Sequence, residues 1–331
     1  MSPEVTDPSP STASGTVVIV VNYRTPDLVV AMLESLLSSD SMPRGVVVID
    51  NASGDGSPAV LDRFVDANGL ASFVQVKCLE KNVGFAGGNN AGIRHARGIW
   101  PATRSYFLLN PDTIVRPDTI SALETLLDLR PRAGIVGSQL EDRMGNLACS
   151  AHVGDGVAWQ LVSAAHLRIL ERMVGSRYRR LVGPLKPCRC DWVSGAALMV
   201  RDATLRDTGL MDDRFFLYFE EVDLCRRARR KGWEVWLAPD SRVVHFEGSS
   251  TGIAEGRRPR YWFASRRRYF LKHLGVVGLL TADVAWATGR GARLLVDLAL
   301  RRQGSRSPPR MGSDLLFGDL LALATGDVSG L

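Results

Sequence analysis

Apolar residues in the first third of the chain alternate between short continuous runs and helical spacing. The first run, VVIVVNY, begins at Val17 and is rich in β-branched residues, which suits a strand buried on both faces of a parallel sheet. A stretch with apolar residues at helical intervals follows, from Pro26 to Leu37. The alternation continues and predicts strands at 46–50, 73–79 and 106–109 and helices at 59–67 and 90–97. This pattern predicts βαβ units and therefore an α/β fold with a doubly wound, mostly parallel sheet.

Polar side chains follow each predicted strand at its carboxyl end. In FLLNPDTI the apolar run stops after Leu109 and the predicted strand ends at Asn110, because Pro111 lacks a backbone N–H and cannot continue a central strand. Open α/β sheets bind ligands beyond the carboxyl ends of their strands, so the four loops predict a binding crevice. Each group is also an ordinary turn former, and only their alignment favours function. The candidate binding residues of the four loops are Asn22, Tyr23, Asp50, Asn51, Asn82, Gly84, Phe85, Asn110 and Asp112.

The usual nucleotide-binding fingerprints are absent from the sequence. No G-x-G-x-x-G follows the first strand, and no G-x-x-x-x-G-K-[ST] occurs anywhere. NVGFAGGNN is glycine-rich but follows the third predicted strand, so it is weak evidence for a phosphate-binding loop. The usual dehydrogenases and P-loop NTPases are thereby excluded.

A second candidate site lies in FFLYFEEVDLCRRARRK, at residues 215–231. Glu220, Glu221 and Asp223 stand at the start of a predicted helix and basic residues at its end, before Gly232. Such a distribution complements the helix dipole without any catalytic role. The aromatic residues before the acids instead favour a catalytic carboxylate, because desolvation raises the pKa of a carboxyl group and makes it a better base.

His245 ends another predicted strand, after Val243 and Val244. A lone histidine is more often packed than a metal ligand, but this position makes it a possible partner for Asp112. An aspartate oxygen and an imidazole nitrogen suit Mn²⁺, and Mg²⁺ less well.

Charge is distributed unevenly along the 331 residues, whose net charge is +6. Residues 257–310 contain thirteen Lys or Arg and two acids, a local net charge of +11, which leaves −5 for the remainder. Aromatic residues and an apolar run at 274–286 are interleaved there, and Asp283 interrupts that run. This composition predicts an interfacial helix pair on an anionic membrane surface rather than a spanning helix. A basic tail packed on the main domain is the alternative, and the net acidic main domain excludes a nucleic-acid partner.

The five cysteines and the N-terminus indicate the cellular compartment. The cysteines are scattered; Cys188 and Cys190 are too close for a usual zinc pair and no CxxC lies elsewhere, which predicts reduced, structural thiols. Residues 1–14 are rich in Pro and Ser and lack the regions of a signal peptide, so we expect a disordered tail on a cytoplasmic protein.

Seven stretches, in chain order, resemble the inverting glycosyltransferases of family 2, which have the GT-A fold. They cover about Val17 to Gly252 and look most like bacterial rhamnosyltransferases that build cell-wall or surface polysaccharide. The resemblance implies a GT-A domain at 15–252, with a nucleotide-binding half at 15–115 and an acceptor and catalytic half at 116–252. A membrane-associating helical segment at 253–310 and a tail at 311–331 would follow. The stretches are VVIVVNYR, VVVIDNASGDGS, NVGFAGGNNAGI, FLLNPDTIV, DWVSGAALMVRD, FFLYFEEVDLCRRARRKGW and VVHFEGSSTG.

The resemblance implies a nucleotide-sugar donor pocket at the strand ends. Asn22 and Tyr23 would flank the base, and Asp50 would hydrogen-bond to a uracil or thymine ring. The ribose would be lined by Asn82 and Gly84, with Asn51 and Phe85 in the same pocket.

A divalent cation, Mg²⁺ or Mn²⁺, is implied on the donor diphosphate. Asp112 stands at the end of the family's D-x-D motif, whose first Asp is replaced here by Asn110. His245 resembles the histidine that completes the metal site in some relatives.

For the chemistry, the resemblance makes Glu221 the catalytic base, with Glu220 beside it. Glu221 would take a proton from an acceptor hydroxyl that attacks the anomeric carbon opposite the leaving diphosphate, which inverts the configuration. The acceptor pocket would contain Trp192, Ser194, Gly195 and Asp223.

Several substrates stay open at this point. The rhamnosyltransferase branch favours L-rhamnose from dTDP-rhamnose, with UDP-galactofuranose, UDP-N-acetylglucosamine and GDP-mannose as other donors. The acceptor would be a glycan or a sugar on a polyprenyl diphosphate, at the inner face of the plasma membrane. A sugar-phosphate nucleotidyltransferase would need a basic, Gly-rich loop after the first strand, and a non-catalytic membrane scaffold would not need Glu220, Glu221 and Asp112.

Overall fold

The computed structural model of the protein describes residues 15–175, 178–246, 257–301 and 310–326. Its strands are β1 Thr16–Asn22, β2 Gly45–Asp50, β3 Val74–Cys78, β4 Ser105–Leu109, β5 Thr113–Val115, β6 Ala133–Glu141, β7 Ala151–Val153, β8 Arg179–Leu181, β9 Cys188–Cys190, β10 Trp192–Val193, β11 Ala197–Arg201 and β12 Glu234–His245. Its helices are α1 Pro26–Leu37, α2 Ser57–Ala67, α3 Gly84–Ile99, α4 Thr119–Leu129, α5 Val157–Ala165, α6 Arg168–Val174, α7 Asp202–Thr208, α8 Glu220–Arg230, α9 Arg260–Ala299 and α10 Met311–Thr325. The predicted tail at 1–14 and the predicted boundary at 252/253 lie outside the described residues.

The central sheet has the strand order β3-β2-β1-β4-β11-β6-β12-β5, with β9 paired to β12. Strands β1 to β4 are parallel, and β11 lies antiparallel between β4 and β6. The predicted doubly wound sheet and the C-terminal helical extension are confirmed. A smaller sheet of β10, β7 and β8 stands beside it.

Helices cover both faces of the sheet, which explains the continuous apolar runs. In β1, Val17 and Ile19 face one hydrophobic cluster, and Val18 and Val20 face the other. Successive side chains of a strand point to opposite faces, so a strand covered on both sides must be apolar at every position.

Helix α3 begins at Gly84, six residues before the predicted start at Asn90. The glycines that suggested a turn instead allow this helix to pack closely on β1. A Cβ on Gly88 would stand 2.7 Å from Cγ1 of Val21. The glycine-rich stretch is therefore a packing surface as well as a loop.

The C-terminal extension is only partly separate from the sheet domain. Helix α9 is kinked at Gly275, whose φ of +68° is left-handed, so it forms the two helical parts expected from the sequence. Before the kink, Tyr269 and Phe270 are buried in the same cluster as Phe219 of the main domain. The segment predicted as a tail from residue 311 forms α10. All five cysteines are free, as predicted.

Candidate active site

The first two strands bring Asn22 and Asp50 together at the carboxyl edge of the sheet. The two residues are partners in the parallel register of β1 and β2. Asn22 Nδ2 donates to Asp50 Oδ1 at 2.8 Å, and the hydroxyl of Ser53 donates to the same oxygen at 2.6 Å. Asp50 is 2% exposed, so its carboxylate organises the turn after β2. Ser53 was not predicted, although it lies in the same turn sequence, DNASGDGS. A hydrogen bond that Asp50 accepts from a base stays a prediction.

Asn51 ties the loop after β3 to this edge. Its Nδ2 donates to Asn82 Oδ1 at 2.9 Å and to the carbonyl of Gly84 at 3.1 Å, and its Oδ1 accepts from the backbone N–H of Val83 at 3.0 Å. Tyr23 is 38% exposed at the same edge, and the guanidinium of Arg24 lies over its ring, 5.1 Å from the centroid. The predicted donor residues of three loops are therefore brought together.

The loop between β3 and α3, together with the first residues of α3, is called the donor loop here after its predicted role in binding the sugar donor. It also contacts the segment that precedes α8. Gly84 has a φ of +74°, and any Cβ there would collide with the carbonyl of Phe216. The backbone N–H of Phe85 donates to that same carbonyl at 2.7 Å. Only glycine allows this close approach, which sequence reasoning did not anticipate.

Asp112 and His245 are brought together by the antiparallel pairing of β5 with β12, in which Thr113 faces His245. His245 Nε2 lies 3.4 Å from Asp112 Oδ1, and Asp112 is 1% exposed. Asn110 Oδ1 is buried and has no hydrogen-bond partner among the described residues. Asp112 and His245 offer an oxygen and a nitrogen ligand at one place, so they fit a divalent cation whose remaining ligands come from a diphosphate and water. In the described ranges, no three His, Cys, Asp or Glu side chains lie in an arrangement that could hold a metal ion by themselves.

The acids of α8 follow a turn of unusual backbone geometry. Tyr218 and Phe219 have φ values of +72° and +68°, which are rare for non-glycine residues. Phe219 is held by aromatic neighbours, Trp159 at 5.9 Å and Trp262 at 5.8 Å between ring centroids. This packing fixes the turn and encloses the start of the helix in apolar surface, as FFLYF predicts.

Glu220 and Glu221 each have one carboxylate oxygen that is buried without a hydrogen-bond partner among the described residues. Burial raises the pKa of Glu221 to about 7. Burial, and then the charge of Glu221, raise the pKa of Glu220 well above its usual value. A carboxylate of this kind can accept a proton near neutral pH.

Gly195 connects the acids to the donor loop. A Cβ at this glycine would lie 3.7 Å from both Cβ of Glu221 and Cε1 of Phe85. Trp192 nearby is buried, and its ring stacks on His152 with centroids 3.9 Å apart. Gly195 and its neighbour Ser194, two of the predicted acceptor residues, therefore lie beside Glu221. Trp192 is buried behind them. His152 and Trp159 were not predicted, because their contacts depend on distant strands.

Asp223 was predicted in the acceptor pocket, but its surroundings assign it a structural part. Its side chain is fully buried and accepts from Arg227 at 2.7 Å, His273 at 2.8 Å and Lys272 at 2.6 Å. Lys272 and His273 belong to α9, so this carboxylate joins α8 to the C-terminal extension. We therefore leave Asp223 out of the proposed acceptor site.

Comparison with known proteins gives consistent matches. Residues 13–268 match the family described as "Glycosyltransferase like family 2". The chain is 27% identical over 318 residues to the N-acetylglucosaminyl-diphospho-decaprenol L-rhamnosyltransferase of Mycobacterium tuberculosis, covering 87% of this chain and 95% of that protein. It is 25% identical over 281 residues to the galactofuranosyltransferase GlfT1 of Mycolicibacterium smegmatis, covering 80% and 85%.

A solved structure shows the same fold. The mannosyltransferase PcManGT of Pyrobaculum calidifontis, in complex with GDP-Man and Mn²⁺, has a TM-score of 0.54 and 18% identity, covering 97% of this chain and 84% of that one. At this identity the likeness shows the fold alone.

Proposed function

The chain belongs to glycosyltransferase family 2, and from that membership we propose that it is an inverting enzyme which transfers a sugar from a nucleoside-diphosphate donor to an acceptor hydroxyl. Its general activity, glycosyl transfer in glycan synthesis, agrees with the names of its relatives. The observation that carries the proposal is the pair Glu220 and Glu221, each with a buried carboxylate oxygen, and the position of Glu221 beside Gly195 and Phe85.

Glu221 is the general base of the proposed reaction. Its raised pKa lets it take the proton from an acceptor hydroxyl near neutral pH, and that oxygen then attacks the anomeric carbon. Glu220 stands beside it and, when ionised, disfavours a second charge on the pair. The aromatic residues around Phe219 exclude water from the base, which protects the donor from hydrolysis.

The leaving diphosphate would lie at Asp112, His245 and Asn110. These residues would hold Mn²⁺ or Mg²⁺, and the cation would neutralise the charge that develops on the diphosphate. The side chains themselves orient the ligand: the register of β5 and β12 fixes His245 against Asp112. Support comes from a structural neighbour that was solved with GDP-Man and Mn²⁺.

The proposed donor is dTDP-L-rhamnose. The Mycobacterium tuberculosis relative, 95% of whose length is covered by the match, is named as an L-rhamnosyltransferase. Its name gives the acceptor as N-acetylglucosaminyl-diphospho-decaprenol. UDP-galactofuranose is the second candidate, because a relative of similar coverage transfers galactofuranose.

The C-terminal extension would hold the enzyme at the inner face of an anionic membrane. Helix α9 is long and apolar enough to span a membrane by length and composition, and 22% of its most apolar window is buried. Beyond the kink it exposes Val277, Val284, Leu295 and Leu298, and α10 exposes Phe317. Before the kink α9 packs on the main domain, so we propose peripheral attachment. We expect the protein to co-sediment with anionic vesicles and not with zwitterionic ones. A protein that sediments with neither kind of vesicle would contradict the proposed attachment.

Calorimetric titration of dTDP, UDP and GDP, with and without Mn²⁺, tests the donor proposal. We expect one nucleotide to bind in a Mn²⁺-dependent manner, and binding to fall at least about tenfold in Asp112→Ala, since a ligand carboxylate of the cation is lost. Asp66→Ala, an exposed acid of α2, is the matched control. Absence of binding by all three nucleotides would overturn the proposed function.

A further inference from the structure

The turn that precedes α8 leads directly into the proposed base, and its backbone geometry depends on the groups around it. Tyr218 and Phe219 both have left-handed φ values, which persist in non-glycine residues only where neighbouring groups hold them. Glu220 and Glu221 follow at once, so any relaxation of this turn moves the proposed base. A displacement of about 1 Å at a reacting group can lower a rate by about 10²-fold. The contacts that hold the turn therefore bear on the reaction as well as on the fold.

Helix α9 contacts the backbone and the rings of this segment. The hydroxyl of Ser265, which is 2% exposed, donates to the backbone carbonyl of Leu217 at 3.0 Å. The ring of Tyr261 lies 5.5 Å from that of Phe216 and 6.2 Å from that of Tyr218, between centroids. Tyr261 and Ser265 are four residues apart in one helix, so they lie on the same face. The hydrogen bond is directional and therefore fixes the orientation of a peptide group, which apolar packing alone does not do.

The same helix also contacts the end of the turn and the first turns of α8. The rings of Trp262 and Tyr269 lie 5.8 Å and 5.6 Å from the ring of Phe219, between centroids. The guanidinium of Arg226, in α8, donates to the hydroxyl of Tyr269 at 3.0 Å. Helix α9 therefore fixes both the turn and the direction of the helix that begins with the acids.

The start of this segment is held from another side by the donor loop. The backbone N–H of Phe85 donates to the carbonyl of Phe216, and Gly84 leaves room for that approach. Residues 216–219 are thus held between the donor loop and α9. Loss of the α9 contacts would leave the donor-loop contact in place and release the part of the turn next to the acids. Turnover and nucleotide binding should therefore respond differently to changes in α9.

We propose that Tyr261 and Ser265 are positioning residues for the general base, and that α9 up to its kink at Gly275 is part of the catalytic site. Neither residue touches the substrate: both act through the turn, which they hold so that Glu221 faces the acceptor hydroxyl. The extension predicted from its composition to associate with a membrane thereby has a second role. This inference rests on the proposed function and adds α9 to the parts that the reaction requires.

The test variant is Tyr261→Leu with Ser265→Ala in the full-length chain. The matched control is Trp286→Leu with Ser313→Ala, which removes an aromatic ring and a serine hydroxyl from other places in the extension. Trp286 is half-buried like Tyr261 but packs in the contact between α9 and α10, and the hydroxyl of Ser313 donates to the carbonyl of Arg310.

Three measurements separate positioning from a general loss of structure. Turnover is measured with dTDP-L-rhamnose as the donor and, as the acceptor, N-acetylglucosamine joined through a diphosphate to a short polyprenyl chain. Calorimetric titration with dTDP and Mn²⁺ measures nucleotide binding. Hydrogen exchange of the backbone N–H groups of residues 217–222 measures how firmly the turn is held.

We expect the test variant to lose at least about tenfold in kcat and to exchange at least about tenfold faster at residues 217–222. Its affinity for dTDP should stay within about twofold of the wild type, and the control should match the wild type in all three measurements. If the double variant does not fold, Ser265→Ala alone takes its place, with an expected loss of at least about twofold in kcat.

An unchanged kcat, unchanged exchange at residues 217–222, or an equal loss of turnover in the control would each overturn the proposal. A loss of dTDP binding in parallel with kcat would also overturn it, because the defect would then be general. If the wild type neither binds a nucleotide nor turns over, the proposed function fails. Faster exchange in the test variant alone would still show that α9 holds the turn.

Discussion

Three carboxylates in the first turn of α8 have opposite surroundings. Glu220 and Glu221 face apolar and aromatic groups, and each has a buried oxygen without a hydrogen-bond partner in the described ranges. Asp223, only two residues further, is bonded by Arg227, Lys272 and His273. Burial alone would raise the pKa of Asp223, but the hydrogen bond from His273, the charge of Arg227 and the bond from Lys272 lower it.

The difference shows that one helix start can contain both a reactive site and a structural anchor. Each of the three acids has at least one buried carboxylate oxygen, so burial alone does not decide their chemistry. The basic partners decide it, and two of those that hold Asp223, Lys272 and His273, come from α9. A carboxylate with no cation keeps a raised pKa and can act as a base, whereas a neutralised one stabilises the fold.

The largest expected effect is the loss of turnover in Glu221→Gln. Removing a general base costs about 10²–10⁴ in rate. Glu220→Gln is the matched variant, and we expect it to retain more activity, because Glu221 rather than Glu220 lies next to Gly195. Single-turnover kinetics with saturating donor measure both variants. If Glu220→Gln is the more damaging change, the assignment of the base within the pair is reversed.

The next effect is on stability, in Asp223→Asn. The change leaves three basic groups facing an uncharged side chain, and breaking a buried ion pair costs about 3–5 kcal/mol; because Arg227 and Lys272 are partly exposed, we expect about 2–3 kcal/mol. Urea unfolding measures it, with Asp66→Asn on the surface of α2 as the control. Because the folded-state pKa of Asp223 is lowered, its contribution is present above pH 4 and is lost as the pH falls below that value. A variant as stable as the control at pH 7 would refute the anchor.

The smallest expected effect is the pH dependence of turnover and of stability that follows from the raised pKa of Glu221. The folded-state pKa of Glu221 is raised, so its burial carries no penalty below its ordinary pKa near 4.5 and the full penalty above about 7. We expect turnover to rise toward a plateau above pH 7, while Glu221→Gln gains about 1–2 kcal/mol of stability over the wild type across the same range. Activity profiles and urea unfolding at pH 5 and pH 8 provide the two curves. A constant stability difference between those pH values would contradict the raised pKa.

Local patterns were sufficient to predict the sheet edge. Pro111 and the β-branched runs mark where strands end, and the aromatic residues before Glu220 indicate its apolar surroundings. The 3.4 Å approach of His245 to Asp112 agrees with their common position at strand ends, although it depends on pairing across some 130 residues.

Long-range contacts could not be predicted from the same patterns. The part played by Asp223 is decided by Lys272 and His273, about 50 residues away, and nothing near Asp223 indicates them. The start of α3 was placed too late because glycine favours turns locally, whereas here it serves close packing against Val21. Similarly, the contact of Gly84 with Phe216 joins two segments whose sequences give no sign of each other.

That contact sets a rule for recombining enzymes of this fold. Gly84 lies in the predicted nucleotide-binding half and Phe216 in the predicted catalytic half, and their backbones meet without room for a side chain. A chimera that takes the two halves from different parents must therefore preserve glycine at 84 and the backbone path at 216 together. A crossover between two parents should therefore keep both contacting segments from the same parent. Exchanging the predicted donor specificity between relatives would then require moving the loop before Gly84 together with the segment around Phe216.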